Sequence, residues 1–169
     1  MSSVRIHLHD HSVFVLPRQH VERLPTLENM VVDSTVHVPN PVVTRGVFAL
    51  VVEYLDFYDS NVMYDANRCV RETPASLQTD EAHMRNSFFL SKYFPPGDDE
   101  RGCFLFQQLM PALDYLEFMW MLDICAQHCA HLIESEKLDF RRMRDRFGIG
   151  HDVAAFDTQV DEELVWLPS

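Results

Sequence analysis

The residues best suited to chemistry stand close together in the carboxy-terminal half: Cys125, His128, Cys129 and His131. On a helix, Cys125 and Cys129 lie one turn apart and His128 sits beside Cys125 at i+3, so three ligands could face one zinc ion. That arrangement defines one reading of the chain, a metal-dependent enzyme built on a Cys/His cluster. Against it, Cys125 and Cys129 fall on an apolar stripe, where free cysteine behaves as a small hydrophobe. The CxxC knuckles that bring zinc ligands from two elements are also missing. A second group, His7, His9 and His11, puts His7 and His9 on one face of a strand about 7 Å apart, with no Cys or Glu placed to complete a site. A third, Arg141 to Arg146, has the charge to bind phosphate. Arginines near a helix carboxyl end more often form a solvated face that complements the dipole and an acidic tail. No Gly-rich phosphate loop, GxSxG elbow or HExxH helix occurs. The expectation is a chain with no catalytic residues, no cofactor and no metal.

The elements that carry these residues follow from periodicity. Val4, Ile6 and Leu8 alternate with Arg5, His7 and His9 as in a half-buried strand, and Ser12 to Leu16 reads as a second strand after an Asp10-His11-Ser12 turn. Pro17 ends this hairpin. Residues 18–33 hold two short helical segments split by Pro25, which suits the first turn of the second. Val36 to Val38 is a short strand, stopped by Pro39-Asn40-Pro41. Thr44 can cap a helix in which Val47, Leu50, Val51, Tyr54 and Leu55 recur at helical spacing. Residues 58–103 lose this order, and their turn residues predict a variable, partly mobile insertion with Phe88-Phe89-Leu90 tacked onto the core. From 104 the pattern is helical again. Phe118, Leu122, Cys125, Cys129 and Leu132 form one stripe through 119–133. Asp139 then caps a short helix whose Phe140, Met143 and Phe147 share a face, and the tail beyond it carries acids with Val160, Leu164 and Trp166.

Composition narrows the class. A chain of 169 residues is one domain by length, or one domain with an appendage, and can bury a core without metals or disulfides. Its 14 basic against 26 acidic residues give a net charge of −12, which makes nucleic acid a poor partner. The run Val47 to Val52 is too short to span a bilayer, and the amino terminus has no apolar signal core, so no membrane partner is expected. Cys69, Cys103, Cys125 and Cys129 follow no disulfide-framework spacing; free thiols in the cytoplasm or nucleus are the simplest account.

Val4-Arg5-Ile6-His7-Leu8, Ser12-Val13-Phe14-Val15, and Val36-His37-Val38-Pro39-Asn40 with the following helix resemble the opening of the BTB/POZ core of the Skp family. These are the S-phase kinase-associated adaptors of SCF ubiquitin ligases. Leu113-Asp114-Tyr115-Leu116 is similar to that family's cullin-contacting Asn-Tyr-Leu step, and Phe147-Gly148-Ile149 to its Phe-Asn-Ile link. About three quarters of the chain is covered, at low identity. The resemblance implies an α+β fold: a small BTB/POZ-like sheet capped by helices, with carboxy-terminal F-box-binding helices. Residues 1–57 would be the amino-terminal part of the core, 58–103 the insertion, 104–134 the core's last helices and 135–169 the F-box-binding tail. It implies a non-catalytic adaptor that binds an F-box or F-box-like protein through Leu122, Cys125, Cys129, Phe140, Met143, Phe147, Ile149, Val160 and Trp166. Asp114 and Tyr115 would face a cullin. Pro111 should bend that helix and Asp114 adds a charge where the family has a neutral amide, so cullin binding is expected to be weak. The alternative within the same class is a Skp-like structural subunit of a non-ligase assembly.

Overall fold

The computed structural model describes residues 3–61 and 80–150. Alternation in the first forty residues produces a three-stranded sheet in the order β2-β1-β3, with β1 at Ser3–His7, β2 at Val13–Pro17 and β3 at Thr35–His37. The β1–β2 pair is an antiparallel hairpin, and β3 runs parallel to β1 with Ile6 opposite Val36. A parallel return requires a crossover. Two short helices supply it, α1 at Arg18–Val21 and α2 at Pro25–Asn29, the latter with Pro25 in its first turn. Val4, Ile6, Leu8, Leu16, Val36 and Val38 are buried, while Arg5, Val13 and Val15 stay exposed.

The hairpin turn is tied to the next helix by one carboxylate. Asp10 accepts the Ser12 amide at 3.0 Å and the Arg45 amide at 3.0 Å. Arg45 opens α3 (Arg45–Asn61), where Thr44 Oγ1 accepts the Val47 amide at 3.4 Å as its N-cap. The helix buries Val47, Phe48, Val51, Tyr54, Leu55 and Tyr58, and Phe48 meets Phe14 of β2 edge-on at 4.9 Å.

The expectation of irregular chain across 58–103 is corrected at both ends, α3 running on to Asn61, while 62–79 lie outside the described residues. Asp80–Tyr93 form a helix, α4, and Asp99–Phe104 another, α5, capped by Asp98, whose carboxylate accepts the Arg101 amide at 3.0 Å. Phe89 and Leu90 enter the core and Phe88 is exposed. Phe89 packs edge-on to Tyr54 at 5.2 Å, and Tyr54 reaches Phe118 at 6.1 Å. This aromatic contact, distant in sequence, carries the helix; its buried side includes the polar Asn86, which thins the apolar signal.

A π-turn at Leu105–Leu109 leads into α6 (Met110–Tyr115), followed by α7 (Met119–Glu136) and α8 (Phe140–Phe147). The Met110 amide bonds back five residues to the Leu105 carbonyl. That widened turn precedes Pro111, which has no amide to donate, so the chain accommodates the proline where the helical ladder is already broken. The fold is α+β, as the patterning predicts. Among the described residues no helix is long and apolar enough to cross a membrane.

Candidate protein-docking site

The stripe of α7 is internal. Phe118, Trp120, Met121, Ile124, Cys125, His128, Cys129 and Leu132 are buried, and Leu122 packs partly buried against the same core. The expectation that Cys125 and Cys129 face a partner is therefore corrected: periodicity marks the side of a helix that is covered, and here the chain's own core covers it. Burial pushes the Cys129 thiol up to about 11 and the Cys125 thiol higher still. Neither supplies thiolate near neutral pH, which is the form that binds metal or attacks. His128 is held elsewhere, its Nε2 donating to the Phe94 carbonyl at 2.9 Å, and desolvation lowers its pKa. Among the described residues no group of three or more His, Cys, Asp or Glu is arranged to hold a metal ion. On the sheet, His7 stacks with His37 of β3 at 4.8 Å, not with His9.

α8 is built differently. Asp139 caps it by accepting the Arg142 amide at 2.8 Å. At its other end Gly148, at φ 62°, closes the helix: its amide bonds the Asp145 carbonyl and the Ile149 amide bonds the Arg144 carbonyl at 2.9 Å. Two residues anchor it. Phe147 is buried and its ring lies 5.5 Å from that of Phe106. Arg146, expected on a solvated face, is only 3% exposed and pairs with Asp99 of α5 at 2.9 Å and with Glu136 of α7. Glu136 also accepts the Gly97 amide at 3.1 Å, so one charged knot joins α5, α7, α8 and the loop before α5.

Two glycines set the closeness of this seating. A Cβ on Gly102 would meet the Arg146 side chain at 2.6 Å, and one on Gly148 would meet Cys103 Sγ at 2.5 Å. Glycine at 148 therefore has a steric reason as well as the backbone angle its cap requires.

Seated this way, α8 leaves apolar surface uncovered. Phe140 is 55% exposed, Phe106 40% and Ile149 37%, while Met143 is partly buried. Of the nine residues expected to bind a partner, then, Phe140 and Ile149 are open, Leu122 and Met143 are half-covered, and Cys125, Cys129 and Phe147 are inside. Val160 and Trp166 lie outside the described residues. Asp114 is exposed, and Tyr115 is half-buried with its carbonyl accepting the Thr26 hydroxyl at 2.8 Å. Sequence reasoning leaves Gly102 and Phe106 unremarked, and reads neither the burial of Arg146 nor the close packing at Gly148, whose one signal is as a helix stop. Compared with protein-family models and with curated proteins, the sequence matches none.

Proposed function

We propose that the chain is a non-catalytic adaptor whose α8 face, with the tail that follows it, receives a helical segment of an F-box or F-box-like protein. The observation that carries this reading is the set of exposed apolar side chains, Phe140, Phe106 and Ile149, around a helix otherwise studded with arginine. Exposed apolar side chains on a helix anchored by other residues are what a helix-in-groove partner covers. The β2-β1-β3 sheet, its two-helix crossover and α3 agree with a BTB/POZ-like core, which is the finer fold assignment we favour. Within that reading, a Skp-like subunit without a cullin is preferred. The π-turn before Pro111 alters the helix that would meet a cullin, and Asp114 puts a charge on its surface.

The test is affinity purification of the full chain from its native cell. Recovery of a protein bearing an F-box-like helical segment, lost in Phe140→Asp/Ile149→Asp and in Trp166→Ala while the far-ultraviolet spectrum is unchanged, supports the assignment. Undiminished recovery by these variants refutes it. A cullin with a RING subunit at stoichiometric level would overturn the non-ligase preference alone.

A further inference from the structure

In a chain of net charge −12, α8 carries four arginines against one acid, Asp145. Arg146 is neutralised inside the molecule by Asp99 and Glu136. Arg144 lies over the Phe140 ring, its guanidinium carbon 6.0 Å from the centroid. Arg141 and Arg142 are exposed and, like Lys137 at the end of α7, form no ion pair among the described residues. Successive residues of a helix are turned by about 100°, which sets Arg144 and then Arg141 next to Phe140 around α8, with Asp145 beyond them. Phe140 is 55% exposed. The amino-terminal end of α8 is thus a basic ledge around an open aromatic ring.

Residues 151–169 have the opposite chemistry. They hold Asp152, Asp157, Asp161, Glu162 and Glu163, no Lys or Arg, and Phe156, Val160 and Leu164 at intervals of four. They also follow α8 directly. The Ile149 amide bonds back to the Arg144 carbonyl, which turns the chain over the last turn of the helix. Phe140 stands about 12 Å back along α8 from Gly148, and 151–169 would span about 28 Å even as unbroken helix, so the segment has the reach. Being tethered, its acids meet the arginines at an effective concentration on the order of millimolar, which a free partner of like charge has to exceed. We propose that in the free chain the acidic segment 152–163 lies over this ledge as an autoinhibitory cover, its carboxylates on Arg141 and Arg142 and its apolar side chains on Phe140. The inference concerns the chain alone and holds or fails independently of the F-box-like partner assigned above. Exposed ion pairs contribute at most about 1 kcal/mol each, so the cover is displaceable, and a partner reaches Phe140 by displacing it.

The experiment is NMR on the full chain at low salt, reading nuclear Overhauser contacts from the Phe140 ring protons to the side chains of 152–166. Such contacts are the expected result. Arg141→Glu/Arg142→Glu should abolish them while the amide resonances of buried Leu132 and Phe147 stay in place. Both substituted positions are exposed in the first turn of α8, where acids suit the helix dipole, so the fold is kept. Asp157→Lys/Asp161→Lys/Glu162→Lys should abolish the same contacts, and combining the two sets should restore them with the charges exchanged. Absence of the contacts in the parent chain overturns the proposal. Contacts undiminished by either set, or not restored by their combination, overturn it as well, because the arginines would not be what holds the segment. A mixture of labelled and unlabelled chains separates the remaining case: contacts that run only between molecules assign the ledge to a second copy's segment and overturn the intramolecular cover.

Discussion

α7 and α8 follow one another in the chain and pack into the same molecule, yet each treats its apolar residues in the opposite way. α7 has a continuous apolar stripe, and the core absorbs nearly all of it, cysteines included. α8 is dominated by arginine, and it holds Phe140 and, one residue past its cap, Ile149 toward solvent. Apolar periodicity thus identifies the buried side of a helix without saying what buries it. The better mark of a docking surface is an apolar side chain left open on a helix that is anchored by something else. Here the anchors are Phe147 and a buried arginine knot.

The strongest way to break this contrast is truncation. Phe118 is fully buried at the entrance to α7, 4.7 Å from Trp120 and 6.1 Å from Tyr54, so Phe118→Ala should cost about 3–5 kcal/mol in urea unfolding. Phe140→Ala should change stability by no more than about 0.5 kcal/mol. Comparable losses from the two would mean that Phe140 belongs to the core. Next in size is Arg146→Met. Removing the guanidinium strands Glu136, which is mostly buried, and loosens Asp99, which is mostly exposed. Breaking a wholly buried pair costs about 3–5 kcal/mol, and the exposure of Asp99 reduces that to about 2 kcal/mol. Amide exchange should accelerate across α8 and not across α7; equal acceleration in both would show that α8 is not separately tethered. Gly148→Ala is smaller. It forces a side chain into a left-handed backbone and against Cys103 Sγ, and about 1–2 kcal/mol should be lost, lowering the melting temperature by roughly 3–6 °C. An unchanged melting temperature would show that α8 can shift away from α5 at no cost.

How much of this was legible depended on the range of the interaction that decides each element. The hairpin, the crossover helix beginning at Pro25 and the Thr44 and Asp139 caps are set within a few residues, and the pattern shows them directly. α4 was not legible, because Phe89 is held by Tyr54 from another helix and the buried face between them includes Asn86. The α7 helix could be read, but whether its stripe meets a partner or the chain's own core could not, since both impose the same period. Arg146 looked like its three neighbours; only the meeting of α5, α7 and α8 singles it out. Gly102 had no signal at all, as its role is to admit the Arg146 side chain.

The smallest effect tests the other half of the molecule, where the tether is local and not long-range. Asp10 joins the β1–β2 turn to the first turn of α3, and its pKa is lowered chiefly by the Ser12 hydroxyl and amide, with the Arg45 amide adding to them. A carboxyl held below its ordinary value of 3.8 stabilises the fold wherever the unfolded chain would bind the proton and the folded chain would not. That contribution is complete above the ordinary carboxylate range and disappears as pH falls through the folded-state value. Asp10→Ala should therefore be slightly less stable than the parent at neutral pH, with the two urea midpoints converging on acidification. Divergence on acidification would show that the carboxylate is not what ties the turn to α3. Exchange in α8 should not respond to the substitution at all. The Asp10 bonds span only the hairpin and α3, whereas α8 is held through Asp99, Glu136 and Phe147. A response there would mean that the two tethers are coupled through the core, and that the independence drawn between the sheet and α8 is wrong.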